Sequence, residues 1–418
     1  MRGGDGAMDV SAGRVRMLEG LVGGSHLSGM EQLPSLVEEC AAHAGLNEVL
    51  IYVADLRQEV LRLLTGHGVH SYEDPDLERD ELRIEGTLAG RAFQEMRIIA
   101  RPGGDGGGGW WVPLLDGTER LGVLRIGADG ADGADERVQE DMRALASLVA
   151  LLMVSKRSQS DSYARLVRTR SMSVAAEMQW NLMPPLTFAN EEVVVGAVLE
   201  PAYEIGGDAF DYALAGDLVN LAVFDAMGHD ASAGLTASLA VAACRNSRRQ
   251  GADLITTSVA IEHALIEEFG RGSRFATAIL AQLDLRSGVF SWVTRGHHPP
   301  IVIRGGRWVA TLECDPAHPV GLDLGLPVSL CQEQLEPGDR VLLYTDGITE
   351  ARNRDGEEFG LSRFADFIIR RNADGLPVPE TLRRLVRSVL DYHQGQLQDD
   401  ATVLLLEWHG AGERKLHL

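Results

Sequence analysis

Four short acidic stretches in the second half of the chain carry residues able to do chemistry together. They are Glu204-Ile205-Gly206-Gly207-Asp208, Asp225-Ala226-Met227-Gly228-His229, Tyr344-Thr345-Asp346-Gly347 and Asp399-Asp400-Ala401-Thr402. Each lies beside an apolar run with the pattern of a β-strand, so each sets an aspartate near a strand end. Carboxylates drawn from distant parts of a chain are what a pair of hard divalent cations requires. Two such ions neutralise the oxygens of a phosphate ester, acidify a water and hold attacker and target in line. The oxygen-only donor set predicts Mg2+ or Mn2+ rather than zinc, since His297-His298 stands alone and no H-E-x-x-H motif occurs. Gly206, Gly207, Gly228 and Gly347 would let backbone approach the ions closely. One such motif alone reads as a turn; the set of four predicts a metal-dependent hydrolase.

The elements that must position these aspartates follow from periodicity. Strand-like runs cover Val193 to Leu199, Leu218 to Phe224, Phe275 to Leu283, Val289 to Val293, Pro300 to Ile303, Arg340 to Tyr344 and Thr402 to Glu407. Helical patterns interrupt them at Ala231 to Arg248, Thr256 to Phe269, Leu361 to Ile369 and Glu380 to Tyr392. Short connections favour antiparallel pairing, and long amphipathic helices would cover the sheets, so two stacked sheets with helices outside are expected.

Upstream, residues 1–28 are rich in Gly and Ser and are expected to be disordered. Residues 29–132 alternate helix and strand, with a helix over Leu88 to Met96 and a hairpin around Asp116-Gly117. Residues 133–185 form a helical linker in two segments, weakened at the polar stretch 155–161 and ended by Pro184-Pro185. The catalytic domain is placed at 186–410, followed by a tail at 411–418. Gly103 to Gly109 has no lysine and no following helix, so it is a loop rather than a phosphate cradle.

Composition narrows the class. The 418 residues carry a formal net charge of −22, which disfavours nucleic acid or an anionic membrane as partner. Cys40, Cys244, Cys314 and Cys331 are scattered, without a C-x-x-C pair, and are expected to be reduced thiols in a cytoplasmic protein. No secretory signal opens the chain, and the longest near-apolar run, Ala144 to Val154, is too short to span a bilayer.

Two resemblances add to this. Ile84-Glu85-Gly86-Thr87-Leu88-Ala89-Gly90-Arg91-Ala92-Phe93, with Trp111-Val112-Pro113-Leu114 and Gly122-Val123-Leu124, resembles the second half of a GAF sensory domain. Trp110, Trp111, His67 and His70 are candidates to line its pocket, with core or surface roles as the alternative. The four acidic motifs, with Pro201-Ala202, Glu350-Ala351-Arg352, Gly296-His297-His298-Pro299-Pro300 and Glu358-Phe359-Gly360, resemble the stage II sporulation E type of metal-dependent serine/threonine phosphatases from about Gln179 to Trp408. That resemblance implies an αββα sandwich with two Mg2+ or Mn2+ ions and a water nucleophile. Asp225 would bridge both ions, with the Ala226 carbonyl as a further ligand. Asp208 would serve one ion, Asp346 and Asp399 the other, with Asp400 an alternative to Asp399 and Asp211 a ligand for an extra ion.

The resemblance further implies a phosphorylated anti-sigma-factor antagonist as substrate, a homodimer, and a signal from the sensor passed through Ser171 to Leu182 and the small-residue helix Ala231 to Arg248. His229-Asp230 and Arg295 depart from the commoner His-Gly and Ala of such proteins. A catalytically silent scaffold and a hydrolase of small phosphoesters remain the alternatives.

Overall fold

The computed structural model describes residues 5–66, 81–104, 107–128, 136–204, 206–228, 230–393, 397 and 399–410. The chain divides into two compact units, residues 1–171 and 172–417.

The N-terminal unit is built on a six-stranded sheet in the order β3-β2-β1-β6-β5-β4. Its strands are β1 (Leu46–Ala54), β2 (Val60–Leu63), β3 (Glu81–Arg83), β4 (Ile99–Gly104), β5 (Gly107–Asp116) and β6 (Glu119–Ala128). Side chains alternate across a strand, so β1 buries Val49, Ile51 and Val53 on one face and Tyr52 and Ala54 on the other. Helices α1 (Asp5–Ser25), α2 (Leu33–Ala41) and α4 (Glu136–Arg157) pack on the first face; α3 (Leu88–Glu95) packs on the second. The α3 N-terminus is closed by Thr87, whose hydroxyl accepts from the Gly90 N–H at 2.9 Å. Gly90 is required there, because a Cβ would come within 1.7 Å of the Ile84 carbonyl oxygen. Trp111 joins this core edge-on to Tyr52, and Trp110 packs on the opposite face. His67 and His70 lie outside the described residues.

Two expectations fail in this half. Residues 5–25, expected to be disordered, form α1, with Met17 and Leu21 fully buried. The glycines that suggested flexibility serve packing instead: a Cβ on Gly20 would meet Cys40 Sγ at 2.9 Å, and one on Gly24 would meet Leu36 at 2.5 Å. The expected linker is not freestanding either. Helix α4 buries Leu145, Val149 and Met153 in the N-terminal core, and α5 (Asp161–Leu166) adds Leu166. The helical break predicted within 155–161 does separate α4 from α5, and a second break precedes α6 (Val174–Leu182), which belongs to the C-terminal unit.

The C-terminal unit stacks two antiparallel sheets. One has the order β15-β12-β11-β10-β9, the other β14-β13-β16-β17-β8-β7. The first uses β9 (Asp208–Ala215), β10 (Leu218–Ala226), β11 (Ala276–Asp284), β12 (Val289–Arg295) and β15 (Cys331–Gln334). The second uses β7 (Thr187–Ala189), β8 (Val193–Glu200), β13 (Ile301–Arg304), β14 (Arg307–Thr311), β16 (Arg340–Tyr344) and β17 (Ala401–Trp408). Val219, Leu221 and Val223 of β10 interleave with Val195, Val341 and Leu404 to fill the space between the sheets. Helices α7 (Ala231–Arg249) and α8 (Leu254–Phe269) cover the first sheet with Ala237, Val241 and Ile261. The second is covered by α10 (Gly360–Ala373) and α11 (Val378–Tyr392) with Phe364, Ile368, Leu382 and Leu385. The expected layering of helix, sheet, sheet and helix is present.

The cysteine expectation needs correction. Cys40 and Cys244 are buried thiols, and burial pushes the Cys244 thiol up to about 12. Cys314 and Cys331 instead form a disulfide, with their Cα atoms 5.9 Å apart. Cys314 follows β14 and Cys331 opens β15, the edge strands of the two stacked sheets. Sequence spacing does not show that those edges lie together. Among the described residues, no helix is long and apolar enough to cross a membrane.

Candidate metal centre

The strand period decides which aspartates meet. In β10, Val219, Leu221 and Val223 face the space between the sheets, so Asp225 does too, at the strand's last turn of the pleat. Register pairs Asp225 with Asp208 on β9 and with Thr277 on β11, which sets three polar side chains abreast where the sandwich opens. The other sheet contributes from the same end: Val341 and Leu343 point inward on β16, hence Thr345 follows inward, and Leu404 implies the same for Thr402 on β17. Thr345 and Thr402 both donate their hydroxyls to one Asp208 carboxylate oxygen, at 2.6 and 2.7 Å. Asp208 is thereby fixed by the facing sheet.

The adjacent pair Asp399-Asp400 splits its duties. Asp400 is buried, and one of its oxygens accepts from the N–H groups of Gly206, Gly207 and Asp208 at 2.8, 2.6 and 3.2 Å. Asp399 is exposed at the mouth. Asp346 opens the single-turn α9 (Asp346–Thr349) directly after Thr345. Two glycines make the close approach possible. A Cβ on Gly207 would stand 2.3 Å from the Ala226 carbonyl oxygen, and one on Gly347 would stand 1.9 Å from that of Asp400.

The electrostatics of the cluster are those of carboxylates crowded together. Burial, followed by the charges of Asp346, Asp399 and Asp400, pushes Asp225 up to about 7. Burial and then Asp225 and Asp400 raise Asp208 well above the carboxylate range, against the two threonine hydrogen bonds. Asp346 is raised by burial and Asp399, with His298 opposing. A divalent cation would reverse the sign of these effects, and the donors are the oxygens that Mg2+ and Mn2+ prefer. The residues therefore fit such ions in the chemistry of their donors. They do not form a closed cage: among the described residues, no three His, Cys, Asp or Glu side chains converge as a ready-made ligand group.

Other candidates lie elsewhere. Asp211, three residues from Asp208, faces the helix side of its strand, where Arg245 and Arg248 bind its two oxygens at 2.7 and 2.8 Å. It is neutralised in the fold, contrary to the expectation of an extra ion there. His229 lies outside the described residues. Asp230 caps α7, accepting from the Ala233 N–H at 2.9 Å. His297 is buried, with Nδ1 2.7 Å from the Thr277 hydroxyl, and burial followed by His298 lowers it to about 3. Arg295 is fully buried and donates to Glu262 at 2.6 Å and to the His318 carbonyl at 2.9 Å.

Sequence reasoning gave no role to Thr277, Thr345 or Thr402, although two of them stand inside the quoted motifs. Gln179 of α6 also reaches the centre, donating to the carbonyls of Gly206 and Asp208 at 3.1 and 3.0 Å. Such amide contacts hold the glycine loop against the helix and would be legible only with the loop's position known.

Comparison with known proteins agrees with this part of the chain. Residues 215–409, a little under half of it, match the family described as Stage II sporulation protein E (SpoIIE). The chain is 25% identical over 244 residues to Phosphoserine phosphatase RsbU of Bacillus subtilis, covering 56% of this chain and 69% of that protein. It is 23% identical over 257 residues to Protein IcfG of Synechocystis, covering 54% of this chain and 40% of that protein. Among solved structures, that of the RsbU and RsbW domains of Rv1364c from Mycobacterium tuberculosis shares 26% identity at a TM-score of 0.47, covering 55% of this chain and 64% of that one.

Proposed function

We propose that this chain, whose C-terminal unit carries a stage II sporulation protein E-type phosphatase domain, is a divalent-metal-dependent phosphatase acting on phosphoserine or phosphothreonine in a protein. The observation that carries the proposal is the set Asp208, Asp225, Asp346 and Asp399 gathered where the two sheets open, in which burial and then neighbouring carboxylates raise Asp208, Asp225 and Asp346. Asp225, central to that field, would bridge two Mg2+ or Mn2+ ions, with the Ala226 carbonyl as a further ligand. Asp208 would hold one ion, and Asp346 and Asp399 the other. Asp399 is preferred to Asp400, because three backbone N–H groups already take an Asp400 oxygen. The ions, when bound, would supply a water nucleophile and charge neutralisation at the phosphoryl group.

The chain's own residues do the positioning. Thr345 and Thr402 orient the Asp208 carboxylate, leaving its second oxygen for a ligand role. Asp400 pins the Gly206-Gly207 turn so that the Ala226 carbonyl and Asp208 share one edge. Gln179 ties α6 to the same turn, which supports the idea that α6 transmits a signal from a GAF-like N-terminal sensor in a homodimer. The substrate suggested by the resemblance is a phosphorylated anti-sigma-factor antagonist, and the name Phosphoserine phosphatase RsbU of a relative supports phosphoserine as the group removed.

The test is Mn2+-dependent hydrolysis of p-nitrophenyl phosphate by the full chain, then of a phosphoserine protein. Turnover that needs metal and disappears in Asp225→Ala and Asp346→Ala is expected. Turnover retained in either variant would overturn the assignment, and turnover of nucleotides in preference to phosphoprotein would favour the small-phosphoester alternative.

A further inference from the structure

We propose that the groove between α10 and α11 is a docking site for an acidic, leucine- or phenylalanine-bearing segment of a protein partner. The proposal rests on the phosphoprotein reading for the partner's identity, but not for the groove's existence. The cavity measures about 950 Å³ and is lined by Phe359, Phe367 and Tyr392 together with Arg363, Arg370 and Arg371. Apolar rings and guanidinium groups in one trough suit a ligand with both apolar and anionic side chains.

The arginines are arranged for recognition rather than dispersed. The Arg363 guanidinium lies over the Tyr392 ring, 5.1 Å from its centre, and Arg371 lies over Phe367 at the same distance. A guanidinium stacked on a ring gives up solvent on one face while its in-plane N–H fork, the part that pairs with carboxylates, stays oriented. Arg363 is held locally: it donates to the Glu358 carbonyl at 3.0 Å and to the Tyr392 hydroxyl, with Glu357 3.7 Å away, while Asp366 and Asp374 line the groove beside Arg370 and Arg371. Asp374 takes one Arg371 nitrogen at 3.1 Å, with Arg371 half-buried, and Asp366 stands 4.0 Å from Arg370, both of these largely exposed. Such pairs are weak and exchangeable.

Charge distribution points to the same partner. The whole chain has 39 basic and 61 acidic residues, a net −22, whereas residues 352–392 hold eight arginines and seven acids, a net +1. The remainder therefore carries −23. An acidic partner is repelled by most of this surface, and screening limits that field to roughly 8 Å at physiological salt, so a local arginine patch can decide where it lands. Helix α10 also packs on the strand that leads into the centre. Tyr344, two residues before Asp346, packs edge-on against Phe364 of α10 at 5.4 Å, beside Arg363. A segment held in the groove would tether its protein next to the catalytic mouth, raising the effective concentration of the phosphorylated residue.

The experiment is fluorescence anisotropy with the full chain and a fluorescein-labelled peptide alternating glutamate and leucine, against the same peptide with glutamine for glutamate. Saturable binding is expected, weakened by added salt and weaker by about tenfold for the glutamine peptide. Arg370→Glu/Arg371→Glu should weaken binding by about tenfold or more while p-nitrophenyl phosphate hydrolysis stays at the wild-type rate. Arg370→Glu alone, at a side chain 80% exposed, gives a second variant whose folding is checked by circular dichroism before its binding is read. Absence of saturable binding, equal binding of the glutamine peptide, or unchanged binding by the double variant would each overturn the proposal. If wild type binds the peptide and the variants do not, yet no phosphate ester is hydrolysed, the groove stands and the phosphatase reading falls.

Discussion

Asp55 in the N-terminal unit and Asp225 in the C-terminal unit are both aspartates at or beside a strand end whose pKa is raised by burial, yet their surroundings are opposite. The Asp55 carboxylate accepts from the N–H groups of Arg57, Glu59 and Val60 at 3.2, 2.7 and 2.8 Å and pins the turn between β1 and β2. Asp225 is pushed further by Asp346, Asp399 and Asp400, all of its own sign. Asp211 is a third case, inside the same β-sandwich as Asp225, but neutralised by two arginines from α7. A buried carboxylate met by donors or cations is a fastening. Carboxylates raised by burial and by their own neighbours, as Asp208, Asp225 and Asp346 are, would be relieved by a bound cation.

The contrast can be broken by exchange. Asp225→Ala should lower metal-dependent hydrolysis by about a thousandfold or more, a size typical of losing a central electrostatic group in an active site. Asp55→Ala should leave hydrolysis at the wild-type rate and lower the stability of the N-terminal unit instead. Asp211→Ala strands Arg245 and Arg248 and should cost about 3 kcal/mol in urea unfolding, with Mn2+ affinity unchanged. A loss of Mn2+ affinity in that variant would mean that Asp211 does belong to the metal centre.

Smaller effects sharpen the picture. Thr402→Val removes a hydrogen bond that orients Asp208, and should weaken Mn2+ binding by about tenfold to a hundredfold in calorimetry. Asp230→Ala removes the α7 cap and should lower stability slightly, with little change in metal affinity. Equal metal affinities for Thr402→Val and wild type would show that the facing sheet does not orient the ligand.

The parts of this molecule that periodicity reveals were those with one clean apolar face. The strands β8, β10, β16 and β17 and the helices α7 and α11 were legible because their inward residues repeat at the required spacing. Strand β9 was not, although it carries Asp208. Its text, Asp208-Ala209-Phe210-Asp211-Tyr212, puts a charge on the helix-covered face, and only α7's arginines make that charge tolerable. Helix α1 was hidden because its glycines signal disorder in isolation and close packing only beside α2. The Cys314–Cys331 bridge depends on which sheet edges adjoin, a property of topology. The acidic motifs were visible as a set, but the division of labour between Asp399 and Asp400 was not. It rests on three backbone N–H groups almost two hundred residues away in sequence.

The most direct test is thermal unfolding of the chelator-treated full chain from about pH 5 to about pH 8, with and without Mn2+, for wild type and Asp225→Asn. Asp225 has a folded pKa near 7, above its unfolded value of 3.8, so the native state binds the extra proton between those limits. Its contribution to stability is full below the unfolded pKa and is lost as pH rises through about 7. The metal-free melting temperature is expected to fall across this range. Mn2+ should raise the melting temperature most at the alkaline end, and Asp225→Asn should flatten both trends. A melting temperature indifferent to Mn2+ at every pH, or unchanged trends in Asp225→Asn, would contradict the claim that these carboxylates are gathered to hold cations.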